Sequence, residues 1–369
     1  MDFYTNVVQW GNFLLVRGVD NNQRVNFRLK YKPTLFVPVM KQTDWKTLDG
    51  KSVTPYQFDC IKDAKDFLLK YESQPHLVHG LNRFAYTYIS DTFPQKVNWN
   101  IDKILIMTID IEVQCENGFP NPESAIEPLL SITVKNQQSK KIIVWGIQPY
   151  KNTRDDVTYI RCPNEHDLIL EFMSFWTKNY PDVITGWNTD FFDIPYLANR
   201  IKQVCGEDKM RELSPWKNVS SKQIYSMGRN HLMYDIMGVS QYDYLQLYQK
   251  FTYTRQESYK LDYIASVELG EKKDENPYET FREWYENDFQ SFIDYNIQDV
   301  EIVDKLEDKM GLIDLALTMA YEGKVNYSDV FGQVKYWDIL IYNFFRKRKI
   351  VIPQKSSHNK DEQYEGAYV

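Results

Sequence analysis

Asp110 and Glu112 stand two residues apart in T-I-D-I-E, Asp193 closes N-T-D-F-F-D, and Tyr295 and Asp299 frame Y-N-I-Q-D. Asp110 ends the apolar run Ile104-Leu105-Ile106-Met107-Thr108-Ile109, which reads as a buried strand, and strand alternation sends Glu112 to the same side. Ligands gather at strand ends in α/β sheets, and two carboxylates crowded there must share a proton or a metal ion. Alone, the pair would read as a solvated strand end. The two further acidic stretches reverse that preference.

The elements that must carry the other acids are legible nearby. Residues 183–188 read as a strand, and Asp193 opens a helix with Pro195 in its first turn, where a missing N–H costs little. Tyr196, Leu197, Ile201 and Val204 give that helix an apolar face and Gly206 stops it, so Asp193 belongs at a strand-loop-helix junction, where it can also cap the helix. Residues 281–306 have helical periodicity. At about 100° per residue, Phe292, Val303 and Leu306 fall within roughly 40° of one another with Asp299 amid their arc. A core-facing aspartate must be paired, protonated or metal-bound. Asp288 has a similar bearing, and phase alone does not choose between them. Tyr295, one turn before Asp299, shares its side, although in a chain with 27 tyrosines a half-buried core ring is a strong competitor.

Residues 1–103 read as strand-rich, with strands around Gly11-Asn12 forming a hairpin, a third strand alternating at Val25, Phe27 and Leu29, and a short helix at 63–71. From 104 to 311 the order is strand, hairpin, helix, strand, helix and long helices, which predicts a mixed-sheet α/β domain. Asn164 is a natural N-cap for the helix at 165–178. Ser226-Met227-Gly228-Arg229-Asn230-His231 reads as an exposed turn between two short strands, and a helix covers 337–345.

D-I-E, N-x-x-x-F-D from Asn188 to Asp193, and Y-x-x-x-D, in this order, resemble the three exonuclease motifs of family B DNA polymerases. Y-K-P-T-L-F-V, N-G-F-P, L-Y-Q-K-F-T-Y-T, S-Y-K-L-D-Y-I-A and V-I-P resemble the T-even-type bacteriophage group of that family, so the similarity runs along essentially the whole chain. The resemblance implies an α/β (α+β) fold: an RNase H-like mixed-sheet 3′-5′ exonuclease domain at 104–311 and a strand-rich amino-terminal domain at 1–103, onto which 312–354 folds back. It implies proofreading of single-stranded or frayed DNA 3′ ends by two divalent ions, Mg²⁺ or Mn²⁺. Asp110, Glu112 and Asp193 would hold one ion, Asp110 and Asp299 the second, and Tyr295 would orient the attacking water. Phe119 would stack on the terminal base and Asn188 would contact the DNA backbone, although a loop phenylalanine packed on its own domain and a turn-closing asparagine are the plain alternatives. Lys272 or Lys273 is a weaker candidate for the scissile phosphate, since surface lysines usually do nothing so specific.

Segments resembling the family's polymerase motifs, D-x-x-S-L-Y-P-S and Y-x-D-T-D-S, do not occur in these residues. The expectation is therefore a proofreading portion without templated synthesis, with 355–369 as the start of a missing palm. Primer-template DNA and a polymerase portion are the expected partners, and the cytoplasm of an infected bacterium the expected setting. A second reading has the amino-terminal domain bind RNA or replication proteins, with the nuclease secondary.

With 43% hydrophobic and 15% aromatic residues the chain is expected to be globular, and four cysteines at unrelated spacings suggest reduced thiols and neither a disulfide frame nor a zinc site. No apolar run approaches the roughly 18 residues that span a bilayer. A net charge of −7 sits awkwardly with DNA binding, yet a site that gathers divalent cations must itself be acidic. The densest basic run, Arg346-Lys347-Arg348-Lys349, suits the end of a helix better than a DNA contact.

Overall fold

The computed structural model describes residues 1–116, 118–226, 228–271 and 276–354. Asn117, Met227, Lys272, Lys273 and residues 355–369 therefore lie outside the described residues, and with them part of N-G-F-P, the tip of the turn at 226–231, the two lysines and the expected start of a palm.

Gly11, at a φ of 56°, turns β1 (Phe3–Trp10) back as β2 (Phe13–Asp20), and β3 (Gln23–Lys30) completes an antiparallel three-stranded sheet. Next come β4 (Thr34–Pro38), β5 (Trp45–Thr47), β6 (Ser52–Gln57), α1 (Ile61–Lys70) and α2 (Phe84–Thr92).

The chain then builds β7 (Ile106–Val113), β8 (Leu129–Asn136), β9 (Ile142–Gly146), β10 (Val157–Arg161), α3 (Glu165–Lys178), β11 (Val183–Gly186), α4 (Asp193–Cys205), α5 (Glu207–Arg211), β12 (Val219–Ser226), β13 (Arg229–Ile236), β14 (Ser240–Asp243), α6 (Tyr244–Phe251), α7 (Leu261–Leu269), α8 (Phe281–Asn287) and α9 (Phe289–Met310). Six strands form one mixed sheet in the order β10-β9-β8-β7-β11-β14, antiparallel across β9-β8-β7 and parallel at the other three pairs. Asn164 caps α3 through the Asp167 N–H, as its sequence predicts. The strands around the turn expected at 226–231 are eight residues each, pair antiparallel and run into it, to Ser226 and from Arg229, so residues 229–231 are strand and not turn.

Alternation gives the sheet two unlike faces. Ile109, Ile111, Ile132, Val134 and Trp145 pack against α3 and α4. On the other face, Ile142 and Val144 of β9 join the buried apolar side of α9, while Ser131 and Thr133 of β8 stand across from Glu112 and Asp110 of β7. The face beneath α9 thus runs from apolar to hydroxyl to acid in three strands.

Two features differ from the sequence reading. β7 does not end at its first acid: it continues through Asp110 and Glu112 to Val113 because β8 pairs with it along that stretch. The helix expected at 281–306 is broken at Asp288, whose φ of −143° and ψ of 70° are not helical and whose carboxylate accepts the Ser291 N–H at the start of α9. Asp288 is therefore an N-cap, and Asp299 is the acid on the core side, 8% exposed.

After α9, α10 (Leu312–Gly323), α11 (Gln333–Arg346) and β15 (Ile350–Val351) run back to the first hundred residues. The Tyr4 hydroxyl donates to the Val325 carbonyl at 2.7 Å, Asn326 bonds both the N–H and the carbonyl of Val7, and β15 pairs with β5. The basic run at the end of α11 is engaged locally: Arg346 with Asp91, Arg348 over the Phe344 ring, and Lys349 with Asp44. The first sheet is also tied to the mixed sheet through buried Asp182, which pairs with Arg17 and Arg24 and accepts the Thr5 hydroxyl and the Leu105 N–H.

Candidate active site

Asp110, Glu112 and Asp299 meet where the upper half of β7 faces α9, and one carboxylate oxygen from each lies within 4.8 Å of the others. Their arrangement follows from two periodicities: the strand's two-residue repeat aims both β7 acids at the helix, and the helix repeat turns Asp299 toward them.

Asp193 reaches the same cavity from the opposite element. It is the first residue of α4, 3% exposed, and it does not cap its own helix; its Oδ1 accepts the Ile111 N–H at 3.1 Å. The ladder between β11 and β7 reaches only Thr108, so β7 has no strand partner on that side at Ile111, and the carboxylate takes the place of one. Burial pushes the Asp193 carboxyl up to about 8, opposed by the Ile111 hydrogen bond. A buried carboxyl of this kind gains from a cation that would let it ionise.

Seven of the residues singled out from the sequence line one cavity of about 290 Å³, namely the four acids, Tyr295, Asn188 and Phe119, while Lys272 and Lys273 lie outside the described residues. The Tyr295 ring lies edge-on to Trp284 at 4.9 Å and to Phe281 at 6.1 Å, which fixes it in the wall of the cavity that the acids line. Asn188 has a φ of 63°, a conformation asparagine tolerates better than most residues, and its carbonyl accepts the N–H groups of Phe191 and Phe192. It therefore closes a turn while also facing the cavity. Phe119 is 84% exposed at the rim, its ring 5.1 Å from that of Phe192.

Sequence reasoning missed several supporting groups. Asp243 accepts the N–H groups of Asn188, Asp190 and Leu245, fixing the Asn188 turn and capping α6; its place just before Y-L-Q-L was a readable N-cap signal. Burial, then the neighbouring Asp243, pushes Asp190 up to about 8. Asn296, between Tyr295 and Asp299, is fully buried. Cys115 also lines the cavity, but burial and Glu112 raise its thiol to about 11, so it offers no thiolate at neutral pH.

The donor set fits hard divalent cations: carboxylate oxygens converge from two elements, with a fourth carboxylate at the cavity wall. Acids gathered on a mixed sheet under a long helix form a candidate divalent-cation site in an RNase H-like fold. Residues 82–264 match the family described as DNA polymerase family B, exonuclease domain, a span that holds Asp110, Glu112 and Asp193 and stops before Tyr295 and Asp299. The whole chain is 33% identical to the DNA-directed DNA polymerases of Escherichia phage RB69 and Enterobacteria phage T4, and covers 44% of each. It is 27% identical to the DNA polymerase delta catalytic subunit of Candida albicans over 75% of this chain and 28% of that protein. The chain belongs to the family B DNA polymerases and carries their exonuclease domain. It spans less than half the length of the phage relatives.

Proposed function

We propose that this chain removes nucleotides from the 3′ end of single-stranded or frayed DNA, as the proofreading portion of a phage replicative polymerase. The observation that carries this reading is the convergence of acids from three motifs nearly two hundred residues apart into one cavity. Residues 104–311 would form the nuclease domain, and 1–103 with 312–354 the amino-terminal domain.

Asp110, Glu112 and Asp193 would hold one Mg²⁺ or Mn²⁺, and Asp110 with Asp299 the second. Such ions, when bound, would supply an activated water and stabilise charge on the phosphate and on the departing 3′-oxygen. Tyr295, its ring fixed by Trp284, would orient that water through its hydroxyl. Phe119 would stack on the terminal base and Asn188 would hold the DNA backbone, so that the scissile phosphate meets the acids in a set orientation. The partners of this reading are single-stranded and primer-template DNA and a polymerase portion, in the cytoplasm of an infected bacterium. Among the described residues no helix is long and apolar enough to cross a membrane. The RNA-binding alternative is not carried forward, because the similarity along the whole chain is to DNA polymerases.

The test uses 3′-labelled and 5′-labelled single strands with Mg²⁺, Mn²⁺ or EDTA. Digestion should start at the 3′ end, stop on chelation, and disappear in the Asp110→Ala, Glu112→Ala double variant while its circular dichroism spectrum stays that of the parent. Undiminished digestion by that variant, or digestion from the 5′ end, would overturn the reading.

A further inference from the structure

Asn296 follows Tyr295 in Y-N-I-Q-D and has no exposed surface. Its side chain crosses from α9 to the sheet. The amide oxygen accepts the Ser131 hydroxyl at 2.9 Å and the Thr133 hydroxyl, and the amide nitrogen donates to Asp110 Oδ2 at 2.5 Å. Ser131 and Thr133 are fully buried as well and stand opposite Glu112 and Asp110 across the β7–β8 ladder. The amide is thus oriented from both ends: a carboxylate only accepts, so the nitrogen must face Asp110, and the oxygen is left to the two hydroxyls.

We propose that Asn296 is a positioning residue for the cation-binding acids, fixing the carboxylate plane of Asp110; this rests on the nuclease reading above. An aspartate on a strand has a broad, roughly two-fold torsion at its second side-chain bond, so its oxygens are poorly placed unless something holds one of them. Asn296 holds Oδ2 through a chain of partners that ends in the backbone of β8, and it does so from the helix that also carries Asp299 and Tyr295. The choice of an amide is chemically apt. A lysine or arginine at this position could donate the same hydrogen bond, but its charge would repel the cations that the acids gather. A neutral donor positions the carboxylate and leaves its charge for the ions.

Partners of this kind, one shell out from a metal ligand, change metal affinity by about 10- to 100-fold when removed. The test is Mn²⁺ binding to the full chain without DNA, followed by electron paramagnetic resonance, alongside oligonucleotide kinetics. Asn296→Ala should weaken Mn²⁺ binding by about 10- to 100-fold and lower kcat with KM for the oligonucleotide unchanged. Ile297→Val, which trims the neighbouring buried side chain in the apolar core beneath α9, should leave Mn²⁺ affinity unaltered. Should Asn296→Ala not fold, Asn296→Ser carries the same expectation: it keeps a polar partner for the two hydroxyls but is too short to reach Asp110. Parental Mn²⁺ affinity in either folded variant would overturn the inference. No Mn²⁺ binding by the parent chain would be a different result, removing the ligand assignment itself and this inference with it.

Discussion

Phe119 is the side chain at the site with the most water around it, and an aromatic face left in water at the rim of an acidic cavity suits a nucleic-acid base. Stacking on an aromatic residue is worth about 1–3 kcal/mol per base, so Phe119→Ala is expected to raise KM for single-stranded oligonucleotides roughly 5- to 150-fold with kcat little changed. Steady-state kinetics identical to the parent would return the ring to ordinary packing on Phe192. The residues legible in the sequence were those conspicuous by contrast. Asp110 and Asp299 are acids in apolar company, and nothing else in their neighbourhoods explains them. Asn296 and Asp243 were not conspicuous, since an asparagine in a helix or an aspartate before one is commonplace. What makes Asn296 matter is a hydroxyl pair some 160 residues earlier, which no local pattern reveals.

At the scale of elements, periodicity found the strands and helices but misjudged two ends. Buried side chains continue across the break at Asp288, from Trp284 and Tyr285 to Phe289, Phe292 and Ile293, so the sequence repeat runs through it unseen, although an aspartate three residues before Ser291 is a capping signal. β7 outruns its apolar stretch because pairing with β8 outweighs the composition of a single strand. A further element end makes a pH prediction. Lys324 closes α10 in the left-handed conformation, with a φ of 55°, and its buried ammonium donates to the Phe93 carbonyl. Burial lowers it from 10.5 to about 8, so between those values the unfolded chain binds more protons than the folded one and stability rises with pH. Below about pH 8 the penalty is fully present. In denaturant titrations the parent should therefore gain on Lys324→Met by up to about 3 kcal/mol between pH 8 and 10.5. A difference between the two that does not change over this window would show that the ammonium is not desolvated.

At the scale of the whole molecule, the three-stranded sheet and the mixed sheet share an apolar cluster that includes Val7, Val16, Ile106, Val183 and Tyr242, and a buried anion ties them further. Asp182 is 3% exposed and Arg17 5% exposed, and the guanidinium also donates to the carbonyls of Tyr180, Pro181 and Gly238. Removing one member of a buried ion pair strands the other's charge, which costs about 3–5 kcal/mol. Asp182→Ala should lower unfolding free energy by that amount, measured by urea titration; a loss below about 1 kcal/mol would mean that solvent reaches Arg17. The division of labour between sheets was only half legible. The residues that couple them, Arg17 and Asp182, look like ordinary polar positions until the chain brings them together.

The two-faced alternation of β7 has a consequence for quality control. A slip of one residue in its pairing would turn Ile109 and Ile111 toward Asn296 and Asp299, and drive Asp110 and Glu112 into the oily side lined by Trp145 and Phe172. A mispaired β7 would therefore lose its core packing and its acid cluster together.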